Sequence, residues 1–121
     1  MPKRKQSPPV TFDTVRQFAL TLPGVEDGTS YGTPALKVKG KLMVRFHQDG
    51  ETIVVAADFA EREALIAEQP EVFYLTDHYL NYPWVLVRLA TVRTDQIPDL
   101  LREAWRRVAP KSLVAAAHGL E

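Results

Sequence analysis

Basic side chains recur at odd positions through one short stretch of the chain: Lys37, Lys39, Lys41 and Arg45. Residues two apart share a face of a β-strand, so a hairpin reading puts Lys37, Lys39 and Arg45 on one face with Lys41 near the hairpin tip. Such a row can meet phosphate oxygens, but it supplies no nucleophile, general base or metal ligand set. Arg88 is a further candidate contact. Tyr31 and Trp84 are candidate stacking platforms for unpaired bases, each with a plainer reading as cover for a sheet. His47, His78 and His118 fall on a strand, a loop and the C-terminal tail, with no neighbour that forms a triad or a metal pair. Nucleophile elbow, phosphate-binding glycine loop and HExxH motif are all missing from the sequence. We therefore expect no catalytic residue, no metal site and no cofactor.

The cations depend on strands whose register the residues themselves suggest. Asp49-Gly50 between two apolar runs is a strong hairpin signal and calls for a two-residue turn. Counting outward pairs Phe46 with Ile53 and Val44 with Val55, and leaves Arg45 opposite Val54 on the other face. For the preceding hairpin, a three-residue loop at Lys39-Gly40-Lys41 pairs Val38 with Leu42 and Leu36 with Val44. It keeps Leu36, Val38, Leu42, Val44, Phe46, Ile53 and Val55 on one core face, with Lys37, Lys39, Arg45 and His47 on the other.

The remaining elements follow in order. Residues 1–10, with Lys3-Arg4-Lys5 and Pro8-Pro9, read as a disordered basic tail that serves either phosphate contact or solubility. Thr11 caps a helix to about Leu22, which Pro23-Gly24 stops. Glu26 to Pro34 reads as a loop. Asp58, with Glu61 at N3, caps a second helix that Pro70 ends, its surface carrying Glu61, Glu63 and Glu68 with only Arg62 opposing. Fourth and fifth strands are expected over Glu71–Thr76 and Trp84–Leu89, then a helix with the apolar stripe Ile97, Leu100, Leu101, Ala104, Trp105 and Val108. Residues 11–113 make a single domain and residues 114–121 a short helical or frayed tail.

With 121 residues and no cysteine, the chain is long enough for a core without disulfides and offers no thiol chemistry. No apolar run reaches membrane-spanning length, so we expect a cytoplasmic protein without a membrane partner. Net charge is zero, which excludes binding to nucleic acid by bulk charge alone. The distribution is uneven, however: residues 1–45 carry eight Lys/Arg against three Asp/Glu, and residues 46–85 carry one against eight.

Taken in order, Leu22-Pro23-Gly24-Val25-Glu26, Tyr31-Gly32-Thr33-Pro34, Leu36-Lys37-Val38, Gly40-Lys41, Trp84-Val85 and the segment from Trp105 to Leu113 (WRRVAPKSL) resemble the MmcQ/YjbR family. The resemblance implies an α+β, two-layer fold. Its sheet would be five-stranded and mainly antiparallel with helices on one face, in the order α-β-β-β-α-β-β-α, similar in shape to secretion chaperones and frataxin. It further implies a double-wing DNA-binding motif whose wings would be the hairpins around Gly40-Lys41 and Asp49-Gly50. The first suits phosphate; the second, Gln48-Asp49-Gly50-Glu51, is acidic and repels it. DNA is thus the expected partner, contacted without base reading because lysines position a protein on phosphates but carry no sequence information. The competing expectation is a protein-interaction module that receives a protein partner or a second copy of the chain. Iron binding at Glu61, Glu63 and Glu68 follows from the frataxin-like shape alone.

Overall fold

The computed structural model describes residues 10–119. The expected tail with Lys3-Arg4-Lys5 and the side chain of His118 lie outside the described part. Helix α1 (Phe12–Ala19) leads into four strands, β1 (Val25–Ser30), β2 (Thr33–Val38), β3 (Lys41–Phe46) and β4 (Thr52–Ala56). Helix α2 (Phe59–Glu68), β5 (Phe73–Tyr74), β6 (Trp84–Arg88), α3 (Ile97–Val108) and α4 (Lys111–Gly119) complete the chain. The strands form one antiparallel sheet in the order β1-β2-β3-β4-β6-β5.

The sheet therefore has six strands, one more than expected. The stretch read as a loop from Glu26 to Pro34 contains β1 and the start of β2. Tyr31 (φ 54°) and Gly32 (φ 78°) make the turn between them, both in the left-handed region that a two-residue type I′ turn requires. β1 is a polar edge strand without apolar alternation. Pairing with β2 holds it, as does an ion pair in which Arg16 of α1 donates to Asp27 at 2.7–2.8 Å.

The β3–β4 register is the one expected: Val44 opposite Val55, Arg45 opposite Val54, Phe46 opposite Ile53. Its loop is longer than the Asp-Gly signal suggests. His47 still donates its N–H to Thr52, and Asp49 folds the loop by accepting from the Glu51 and Thr52 amides and the Thr52 hydroxyl.

The β2–β3 register differs from the expected one. Lys39 (φ 51°) and Gly40 (φ 85°) form a two-residue turn that pairs Val38 with Lys41, not with Leu42. A bulge at Met43 then restores Leu36 opposite Val44. The extra residue lets Met43 and Val44 both enter the core, while Leu42 moves out of it to stand opposite Lys37.

One face of the sheet carries the main core. Phe12, Val15 and Ala19 of α1 and Ile97, Leu100, Leu101, Ala104 and Trp105 of α3 pack there with Leu36, Val38, Val44, Ile53, Val55, Val85 and Val87. α2 leans Leu65 and Ile66 on the same core. In β6 it is Val85 and Val87 that face this core. Thr11 caps α1 and Asp58 caps α2 through their side-chain oxygens, as expected.

The opposite face is covered in part by the segment between β5 and β6, whose Tyr79 packs on Val54 and Leu86. Arg62 is not a surface counter-charge to the glutamates of α2. It is 5% exposed, and its guanidinium donates to the backbone carbonyls of Tyr79, Leu80, Tyr82 and Trp84 at 2.6–3.2 Å. One arginine thereby ties together four carbonyls of an otherwise irregular segment and the start of β6.

Candidate nucleic-acid interface

Consecutive hairpins of an antiparallel meander point to opposite ends of the sheet. The Lys39-Gly40 turn lies at one end, and the Tyr31-Gly32 and Gln48–Glu51 turns lie at the other, roughly 20 Å away along a strand of this length. The two hairpins expected to act as paired wings therefore do not face a common partner.

The expected basic set divides in the same way. Lys37, Lys39 and Lys41 belong to the Lys39-Gly40 end. Lys37 stands opposite Glu26 and lies across Gly28, while Lys39 and Lys41 are exposed. Arg45 and Arg88 belong to the other end. Arg45 is 5% exposed, held by Thr33, the Phe46 carbonyl, Gln48 and the Tyr79 hydroxyl, so its guanidinium is no surface contact for a phosphate backbone. Arg88 stacks on Tyr74 at 4.0 Å and donates to the Pro70 carbonyl. Tyr31 is 79% exposed at its turn, whereas Trp84 is half-buried against the sheet.

What joins Lys41 comes from the far end of the sequence. Lys41, Arg106, Arg107 and Lys111 line one groove of about 680 Å³ whose floor is Val108, Ala109, Pro110, Val114 and Ala115. Among the described residues no carboxylate lines it. The last turn of α3 supplies the two arginines and the first residue of α4 supplies Lys111, so the backbone amides that open α4 border the same cations. Helix N-termini favour anions, which adds to the side-chain charge. Arg106 is ion-paired with Glu103 on the next turn.

The groove is held in place by the residues that the sequence offers as motifs. The Trp105 indole N–H donates to the Pro23 carbonyl at 2.8 Å. Gly24 (φ 76°) lies beneath Leu113 of α4, where an added Cβ would stand 2.8 Å from Leu113 Cδ2 and near Val38 and Lys39. Leu22-Pro23-Gly24, Val38, Trp105 and Leu113 are scattered in sequence and converge here, fixing α4 against the β2–β3 hairpin.

Carboxylates bound the groove on the α2 side. Asp58, Glu61 and Glu103 cluster beside Arg106 and Arg107. Partial burial, then the neighbouring Glu103 and Asp58, push the Glu61 carboxyl above its ordinary range, and Arg107 opposes this. Among the described residues no group of three or more metal-ligating side chains comes together, and the Glu61, Glu63 and Glu68 set is no such cluster. No helix among them is long and apolar enough to cross a membrane.

Comparison with known proteins places this geometry in a family. The YjbR family model matches residues 20–107. The chain belongs to the YjbR family. Its matched span runs from the end of α1 to the arginines of the groove. This YjbR-family chain is 44% identical over 63 residues to uncharacterized proteins of Mycobacterium tuberculosis and Mycobacterium bovis. The matched segment is 52% of the chain and 49% of each relative, so the chain spans about half the length of the curated relatives it matches. In three dimensions it is similar to the crystal structure of a Deinococcus radiodurans protein with a DUF419 domain. The TM-score is 0.72 at 25% identity, covering 89% of this chain and 85% of that one.

Proposed function

We propose that this protein is a cytoplasmic nucleic-acid-binding protein that grips the phosphate backbone without reading sequence. The contact surface is the Lys39-Gly40 hairpin tip together with the α3–α4 junction. The observation that carries the reading is the convergence of Lys41, Arg106, Arg107 and Lys111 on one groove that, among the described residues, no carboxylate lines. Four exposed cations, Lys39, Lys41, Arg107 and Lys111, are positioned for phosphate contact, and among the described residues no Asn or Gln lines the groove to read base edges. One wing and a helix junction thus replace the paired wings as the gripping device. Binding of a labelled duplex at low salt, lost on reversing Lys41, Arg107 and Lys111 to Glu, is the test; unchanged binding by the triple variant sinks the reading.

A second reading, a protein-docking role, is favoured by Phe59, Leu80 and Tyr82, which are 45–57% exposed. Arg62 ties them together, lying over the Phe59 ring at 4.7 Å and bonding the carbonyls of the other two. Recovery of a partner from lysate with and without nuclease separates the readings, since a nucleic-acid partner disappears on digestion.

A further inference from the structure

We propose that the cavity between the Tyr31-Gly32 turn, the Gln48–Glu51 loop and the Asp77–Tyr79 3₁₀ turn binds a small anion, carboxylate or phosphate, carried on a planar ring. It lies at the end of the sheet away from the basic groove and is independent of nucleic-acid binding. Its volume, about 360 Å³, falls within the range of small-molecule sites.

The charge of the cavity comes from Arg45. The guanidinium is nine-tenths buried, yet every group it donates to is neutral: Thr33 Oγ1, the Phe46 carbonyl, Gln48 Oε1 and, at 2.5 Å, the Tyr79 hydroxyl. Among the described residues no carboxylate lies within ion-pairing distance of it, and none lines the cavity. A buried cation without a counter-ion is costly, and an anion entering the cavity supplies one.

The hydrogen-bond directions point the same way. Because the Tyr79 oxygen and Gln48 Oε1 accept from Arg45, the Tyr79 hydroxyl proton and the Gln48 amide protons remain for another acceptor. His47 Nδ1 accepts the Asp49 amide at 3.2 Å, which leaves its proton on Nε2. The 3.5 Å approach of His47 Nδ1 to Asp49 Oδ1 is an ion pair only when the imidazole is protonated, and that carboxylate is occupied by the Glu51 and Thr52 donors of its own loop. The walls supply donors and a cation.

The ring requirement comes from Tyr31. A bulky residue at φ 54° is costly, and the first position of this kind of turn suits Asn or Gly. Here a tyrosine occupies it, 79% exposed, with its ring 5.2 Å from the Arg45 guanidinium carbon. Together with His78, which packs edge-on to Tyr79 at 4.7 Å, it gives the cavity aromatic walls on two sides.

The test is an NMR titration of the protein at neutral pH with phenyl phosphate, benzoate and inorganic phosphate, following the ring signals of Tyr31, His47, His78 and Tyr79. Phenyl phosphate and benzoate are expected to shift these signals with dissociation constants at or below about 1 mM, and inorganic phosphate more weakly. Tyr31→Asn suits the left-handed backbone and removes only the ring. It should weaken both ring-bearing probes about 3- to 10-fold and leave inorganic phosphate unchanged. Arg45→Gln should abolish all three; should that variant fail to fold, Tyr79→Phe, which keeps the ring and removes one donor, should weaken all three by about tenfold. Ring signals unmoved by every probe at about 10 mM overturn the proposal. So do shifts confined to Lys41 and Lys111, which place the anions in the basic groove.

Discussion

Reversing Lys41, Arg107 and Lys111 to Glu removes three of the four exposed cations at the hairpin and helix junction, and the consequence can be worked out before measurement. Each phosphate neutralised on duplex DNA contributes about 0.9 to the slope of log affinity against log salt, so four contacts give a slope of about −3.6. Raising salt from about 50 to about 200 mM should then weaken binding by roughly 150-fold. Lys41→Ala and Lys111→Ala should each reduce the slope to about −2.7, on any duplex sequence, because lost phosphate contacts carry no base information. Arg88→Ala should leave it unchanged, since Arg88 stacks on Tyr74 at the other end of the sheet. Fluorescence anisotropy of a labelled duplex across that salt range gives the slopes. A wild-type slope near zero, or equal losses from Arg88 and Lys41 variants, refutes the reasoning.

Other perturbations test the supporting structure. Gly24→Ala forces a Cβ into Leu113 at a backbone angle that L-residues avoid, and should cost about 1–3 kcal/mol in urea denaturation while loosening α4. Arg62→Met removes one donor from each of four carbonyls, of which those of Tyr79 and Tyr82 keep a backbone amide, and should cost about 2–3 kcal/mol, with faster proteolysis between residues 76 and 83. For Asp49, burial pushes the carboxyl up, but donors from Glu51 and Thr52 and the nearby His47 outweigh it and hold it below the ordinary 3.8. Its contribution is thus complete above that value and disappears as pH falls through the lower folded value, so the destabilisation by Asp49→Ala seen in neutral denaturation should vanish in strong acid. Glu61 is shifted upward, so the folded state favours its protonated form and its ionisation costs stability as pH rises through the carboxylate range. Glu61→Gln should raise the neutral-pH melting temperature slightly, with no gain in acid, and should tighten duplex binding by removing a negative charge beside Arg107.

Much of the meander was legible because two signals agreed. Asp49-Gly50 and the alternation Val44-Arg45-Phe46 against Ile53-Val54-Val55 specify one register, and it is the one that forms. The β2–β3 hairpin was not legible, because Leu42, Met43 and Val44 are all apolar and alternation cannot say which of the first two a bulge will turn outward. β1 escaped notice as a polar edge strand held by pairing, although Tyr31-Gly32 was an available turn signal. The buried arginines were hidden for a different reason. An arginine reads as surface unless its partners are known, and the partners of Arg45 and Arg62 are hydroxyls, an amide and backbone carbonyls from other segments. The groove itself joins the start of β3 to the end of α3, a juxtaposition that no local spacing contains. Its only sequence trace was the WRRVAPKSL segment, where basic residues flank Val108-Ala109-Pro110.

Whether the Lys39-Gly40 tip and the α3–α4 junction form the nucleic-acid surface is decided most directly by mapping backbone amide shifts during titration with a short duplex at low salt. The shifts should cluster at Lys39, Gly40 and Lys41 and from Arg106 to Lys111, and fade together as salt is raised. Shifts centred on the Gln48–Glu51 loop or on Phe59, Leu80 and Tyr82, or no shifts at all, would contradict it.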